Sequence, residues 1–376
     1  MPGLLPNVDP DGLLEYSVVY TDRALNHMSA KFQRVMTDIS AQLKRVYNAR
    51  SVAIVPGGGT YGMEAVARQF ATGRTVLIVR NGLFSFRWSQ ILQTGAIAAQ
   101  ECVLAARQTS ADARAPFAPA PIDEVTQEIA RLRPAVVFVP HVETASGMLL
   151  PDGYLRELGN AVRAVDGLLV VDCIASGALW LDMAELGIDV LLSAPQKGWS
   201  ASACAALVML GERARQQIEH TQSSSFACDL RKWLQVMETY EGGGHMYHAT
   251  MPTDALTRLW QSLSESEAFG LEKMRNAQRD LGEQVRAALE NAGFPSVAAQ
   301  GFKAPCVVVS YAPSAEIATG KRFRELGLQV AAGVPLHCGE PAGFQSFRVG
   351  LFGLDKLANV ERTVATFTGA LSRVGP

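Results

Sequence analysis

Six short apolar runs with almost no polar alternation constrain this chain most. They are Val52–Val55, Val76–Val79, Val136–Val139, Leu168–Val171, Val190–Leu192 and Ala205–Leu210. A strand with one wet face alternates polar and apolar residues. A strand that is apolar throughout is buried on both faces, as in a mainly parallel sheet covered by helices. Segments with helical apolar spacing lie between the runs, at Gly62–Ala71, Phe84–Thr94, Ile122–Arg131, Gly153–Ala164 and Met183–Leu186. A longer one, from about Asn26 to Arg50, precedes them. The alternation predicts a large, doubly wound α/β domain with a mainly parallel sheet.

The C-terminal third reads differently. One long helical stretch from Asp254 to Ala292 leads into shorter strands at Cys306–Tyr311, Leu328–Ala331 and Phe347–Leu351, with helices at Ala315–Leu326 and Leu357–Leu371. At 376 residues the chain exceeds what one core usually serves. The division expected is an N-terminal arm over 1–22, a large domain over 23–265 and a smaller C-terminal α+β domain over 266–376.

Formal net charge is −2, from 34 basic and 36 acidic residues, so there is no electrostatic footprint for nucleic acid or an anionic membrane. Small-molecule chemistry is expected instead. The six cysteines are scattered without C-x-x-C spacing, which reads as reduced thiols. With neither a secretory leader nor a membrane span in the pattern, the expected location is the cytoplasm.

Ligands of parallel α/β sheets gather at the carboxyl ends of the strands. Three such ends carry chemistry. Val52–Val55 is followed by Pro56-Gly57-Gly58-Gly59-Thr60 and then a helix, a turn suited to an anion such as phosphate. Leu168–Val171 ends on Asp172, a carboxylate that burial obliges to find a partner. Val190–Leu192 leads through Ser193-Ala194-Pro195-Gln196 to Lys197, an amine placed for nucleophilic use. Phosphate anchor, acid and amine, in that order, are what pyridoxal 5′-phosphate (PLP) requires of a protein, with Lys197 holding it as a Schiff base.

Seven segments together resemble the class V aminotransferases of fold type I, most nearly the alanine–glyoxylate and serine–glyoxylate group. They are Gly58-Gly59-Thr60 with Glu64-Ala65, Asn81-Gly82 with Phe84, His141 with Glu143-Thr144 and Ser146-Gly147, and Val171-Asp172 with Ala175-Ser176. The others are Gln196-Lys197, Met246-Tyr247-His248 with Thr250, and Arg348 with Gly350. The resemblance implies that Gly58, Gly59, Thr60 and Gln196 hold the cofactor phosphate. It implies Phe84 above the ring and Ile174 beneath it, Thr144 near the ring hydroxyl, and Asp172 on the ring nitrogen. Tyr247 and Thr250 match residues that reach the neighbouring subunit's phosphate, which implies a homodimer with shared sites. Arg348 matches the arginine that grips the substrate carboxylate. The implied activity is transfer of an amino group from a small alanine- or serine-like amino acid to a 2-oxo acid such as glyoxylate or pyruvate.

Two stretches depart from the family pattern. A Gly-Pro-Gly-Pro-like loop is replaced by Glu15–Arg23, where Tyr20 and Arg23 are candidate substrate contacts, and a Pro-Pro-Gly-like turn by Ser200–Cys204. Three other readings compete. Gly57, Gly59 and Gly62 match the dinucleotide fingerprint, but the next strand ends in Val79-Arg80-Asn81 with no acid, leaving only an NADP-dependent oxidoreductase. A PLP-dependent lyase or desulfurase shares Lys197 and Asp172, and a desulfurase would need Cys338 as its thiol. His245 and His248 lack further ligands at zinc spacing, so no metal is expected.

Overall fold

Each of the six apolar runs is a strand of one sheet. In the computed structural model, which describes residues 8–9 and 12–374, the strands are β1 (Ser51–Pro56), β2 (Thr75–Arg80), β3 (Gln100–Ala105), β4 (Val136–Pro140), β5 (Leu168–Asp172), β6 (Val190–Ser193) and β7 (Ala205–Leu210). Their spatial order is β1-β7-β6-β5-β4-β2-β3. Every pair from β6 to β3 is parallel, and β7 runs antiparallel to both β1 and β6. β3 is not among the apolar runs. As an edge strand it has one partner, and its Gln100-Glu101 start faces water, so it lacks the continuous apolar signature.

Helices cover both faces. The first, α1 (Ala30–Tyr47), is shorter than its apolar spacing suggests. The Ser29 side chain caps its start by accepting from Phe32 N, and Asn48 ends it in the left-handed region at φ 51°. Phe32, Val35, Met36, Ile39 and Leu43 form its buried stripe. After it come α2 (Gly59–Phe70), α3 (Leu83–Thr94), α4 (Ile122–Leu132), α5 (Asp152–Ala164), α6 (Met183–Leu186), α7 (Glu212–Gln217) and α8 (Leu230–Glu241). Gly62 lets α2 lie against β7, since a Cβ there would stand 2.4 Å from Ala206 Cβ.

The stretch from Asp254 to Ala292 is two helices rather than one. α9 (Thr253–Phe269) and α10 (Leu271–Asn291) meet at Gly270, whose φ of 101° breaks the helix. Beyond them a small antiparallel sheet is built from β8 (Val307–Tyr311), β9 (Ala331–Ala332) and β10 (Ser346–Gly350), in the order β8-β10-β9. The helix expected over Ala315–Leu326 is likewise two, α11 (Ala315–Ala318) and α12 (Lys321–Glu325), parted by Gly320 at φ 71°. The last helices are α13 (Leu354–Leu357) and α14 (Val360–Val374).

Part of the expected arm, residues 1–7 and 10–11, lies outside the described residues. Its described part is irregular and folds on itself, with Glu15 N donating to Asp22 Oδ1 at 3.1 Å and Asn26 Nδ2 to Glu15 Oε2 at 2.6 Å. Among the described residues no helix is long and apolar enough to cross a membrane.

Candidate active site

The carboxyl ends of β4, β5 and β6 lie side by side, and polar side chains follow each of them. Asp172 closes β5 and is buried; its Oδ1 accepts from Ile174 N at 2.9 Å. Among the described residues no donor reaches its other oxygen. Burial pushes the carboxyl up to about 6, against the pull of the Ile174 N–H and the Lys197 charge. Next door His141 follows β4, buried, with Nδ1 2.7 Å from Ser176 Oγ. Burial depresses the imidazole to about 3, so it is neutral.

Lys197 emerges from the turn after β6, half-buried. Its Nζ lies 5.7 Å from the centre of the Phe84 ring and 5.5 Å from that of Phe352. Among the described residues it forms neither a hydrogen bond nor an ion pair. Burial draws the amine below the ordinary lysine range, while Asp172 and Glu143 oppose that shift. Behind the lysine the backbone is wedged in place, for a Cβ on Gly198 would lie 2.1 Å from the Gly177 carbonyl oxygen.

Phe84 is the hub of three cations. Besides Lys197, the Arg348 guanidinium carbon lies 5.6 Å from its centre and that of Arg87 lies 5.2 Å away. Arg348 comes from β10, in register with Val309 of β8, and donates through Nε to Ala332 O at 2.8 Å. Arg87 donates to Thr60 Oγ1 at 3.1 Å, which ties the helix bearing Phe84 to the glycine turn. That turn opens α2. Gly58 caps it with open space where a Cβ would stand, and a Cβ on Gly59 would press on Ile174 Cδ1 at 2.4 Å. Free N–H groups of a helix start beside an arginine make an anion cradle.

Phe84, Asp172, Lys197 and Arg348 are therefore brought together, with Gly59 and Ile174 in contact and Thr60 joined through Arg87. Thr144 is buried in the turn after β4, whereas Gln196 is exposed. Tyr247 and Thr250 sit apart on the exposed loop between α8 and α9, where their hydroxyls are 3.1 Å from each other. The Tyr247 ring lies 5.7 Å from that of His27, which also neighbours Tyr20 at 5.7 Å. Tyr20 itself donates to Met251 O at 3.0 Å. Arg87, Phe352 and the bonding of Glu143 escaped the sequence reading. Arg87 alone had a legible signal, since it lies one helical turn beyond Phe84.

The fold disposes of the dinucleotide reading. That fingerprint needs its first strand beside the strand whose end carries the ribose contact, yet β1 and β2 lie at opposite parts of the sheet with β7, β6, β5 and β4 between them.

Residues 12–351 match the family model described as aminotransferase class-V. The chain belongs to the class V aminotransferase family. As a member it is a PLP-dependent transaminase, and its residues fit that cofactor. The open turn at Gly58 suits the phosphate and, among the described residues, the buried carboxyl of Asp172 has one oxygen free for a ring nitrogen and Lys197 offers an unpaired amine. Among curated relatives, this class V aminotransferase is 27% identical over 286 residues to alanine–glyoxylate aminotransferase 1 of Saccharomyces cerevisiae, covering 71% of each chain. It is 26% identical over 344 residues to alanine–glyoxylate aminotransferase of Callithrix jacchus, covering 88% of this chain and 77% of that one. The crystal structure of an alanine–glyoxylate aminotransferase from Nostoc sp. superposes with a TM-score of 0.78 at 24% identity, over 93% of this chain and 88% of that one. That likeness is one of fold, and it is the fold type I expected.

Proposed function

We propose that this aminotransferase takes the amino group of a small amino acid, alanine or serine, and delivers it to glyoxylate or pyruvate. The donor and acceptor classes are supported by the names of its alanine–glyoxylate relatives. The site reading rests on one observation above the others: a half-buried lysine with no acid partner among the described residues, held between the rings of Phe84 and Phe352 beside the strand that ends in Asp172.

Bound PLP supplies an aldehyde that links to amines and a ring that accepts electrons from the substrate. Lys197 would be the anchoring amine, and its Nζ would be the group that holds the proton of the substrate Cα. Asp172 would accept a hydrogen bond from the ring nitrogen and keep that nitrogen protonated. Phe84 would cover one side of the ring, Ile174 would support the other, and Thr144 would bond near the ring hydroxyl. Gly58, Gly59, Thr60 and Gln196 hold the phosphate, and Arg348 binds the substrate carboxylate as a two-pronged donor. Tyr247 and Thr250 serve the phosphate of a second subunit. Their exposure on a single chain supports a homodimer with shared sites. The chain divides into the arm 1–22, a large domain 23–265 and a small domain 266–376, and it works in the cytoplasm, in keeping with six free cysteines.

A desulfurase reading fails on Cys338. Burial pushes that thiol up to about 12, and its Sγ lies 3.5 Å from the carbonyl oxygens of Arg80 and Leu336. A protonated, donating thiol is no sulfur acceptor.

Absorption spectroscopy of the purified enzyme, with product assay, tests the proposal. L-Alanine or L-serine should bleach the visible cofactor band and release one equivalent of the matching 2-oxo acid. A band that neither amino acid moves overturns the donor assignment. No band after incubation with PLP overturns the site.

A further inference from the structure

Glu143 is fully buried beside this site, and every bond it makes goes to a segment that carries a site residue. Its Oε1 accepts from Phe84 N at 3.2 Å and Ala145 N at 3.0 Å. Its Oε2 accepts from Ser85 N at 2.8 Å and Ser85 Oγ at 2.7 Å. α3 starts at Gly82, which brings no side chain of its own to cap the helix. A Cβ on Gly82 would stand 2.7 Å from Glu143 Cγ, so the glycine lets a carboxylate from a distant part of the chain take the capping place. An acidic group at a helix start also meets the favourable end of its dipole.

We propose that Glu143 is a positioning residue for Phe84: by clamping the first turn of α3 to the Thr144 turn, it fixes the aromatic ring that covers the cofactor. This rests on the reading of Phe84 as the stacking aromatic. Four donors on two oxygens leave the carboxylate no rotational freedom, and two of them are consecutive amides of α3. The ring packs at the edge of an apolar cluster, with three cations 5.2–5.7 Å from its centre, and the backbone at the start of α3 sets where it enters that packing. In Glu143→Gln the NH2 faces Phe84 N and Ala145 N in one orientation and Ser85 N in the other, so an amide of α3 loses its acceptor either way.

A double-mutant cycle on the apoenzyme tests this, read as the dissociation constant for added PLP. Glu143→Gln should weaken binding about 10-fold or more in the native background, and less than about 3-fold when Phe84 is already alanine. The circular dichroism of the bound cofactor should change in Glu143→Gln and not change further in the double variant. Equal factors in both backgrounds overturn the proposal, because Glu143 would then act through its charge or through the fold at large. Should Glu143→Gln fail to fold, Glu143→Asp keeps the charge, withdraws the acceptor from the helix, and must show the same dependence on Phe84. Failure of the native apoenzyme to bind PLP at all would strike the site reading itself rather than the clamp.

Discussion

Asp172 closes β5 and Lys197 follows β6, two parallel strands whose register pairs Leu192 with Asp172 itself. An acid and an amine are thus delivered side by side by two neighbouring central strands of the sheet. Neither satisfies the other, since no ion pair joins them. A buried acid and a half-buried amine left without each other suit the proposed cofactor site.

For Lys197 the proposed role is covalent. Borohydride treatment followed by intact mass measurement should add one reduced cofactor to the native enzyme and none to Lys197→Ala. Turnover in that variant should fall by about 100-fold or more, the usual worth of a positioned proton carrier. A reduced cofactor recovered on the variant would place the anchor elsewhere.

Asp172 is held at a cost. A carboxyl moved from 3.8 to about 6 by burial is stabilised as the acid. The raised value means its contribution is full below pH 3.8 and is lost as pH rises through about 6. Asp172→Asn keeps an acceptor for Ile174 N and removes the ionisation. The apoenzyme should therefore become more stable near pH 7, by at most about 3 kcal/mol, while transamination collapses. Urea unfolding of both apoproteins across pH should show the curves meeting below about pH 4. A variant less stable than the native apoprotein at pH 7 would refute the account.

Arg348 should separate substrate binding from cofactor binding. Losing a charge-assisted contact to a carboxylate costs about 1.5–3 kcal/mol, so Arg348→Ala should raise the KM for the amino donor about 10- to 100-fold. Cofactor content should hardly change, because the guanidinium bonds to Ala332 O on the small sheet. Steady-state kinetics with a cofactor assay on the same preparation decides it, and an unchanged KM removes the role.

Much of this was legible in the chain. The six buried strands announced themselves because burial on both faces forbids polar alternation, and Asp172 and Lys197 stood out as charges at the ends of such strands. The helix breaks at Gly270 and Gly320 were not read, since a glycine within a periodic pattern also fits an unbroken helix. Glu143 was visible as a residue but not as a clamp, for its partners Phe84 and Ser85 lie far off in sequence and only the fold joins them. The surroundings of Tyr247 and Thr250 were beyond reach for another reason, because on the proposed reading a second chain completes them.

Gly198 offers the sharpest steric test. The nearest atom to a Cβ there is the Gly177 carbonyl oxygen, at 2.1 Å, and the next are Gly177 C and Cα at 2.7 and 3.1 Å. All three are backbone atoms, so no side chain can swing aside to make room. Gly198→Ala must push the turn away from Gly177, and the residue that moves with it is Lys197. Overpacking of this kind costs about 1–3 kcal/mol. The variant should melt lower than the native enzyme and also form its lysine-bound cofactor band more slowly. By contrast Gly153→Ala, where nothing lies within 4 Å of a new Cβ in the middle of the first turn of α5, should do neither. If Gly198→Ala lost stability yet kept the native band, the turn would be a packing element alone, without a share in aiming the lysine.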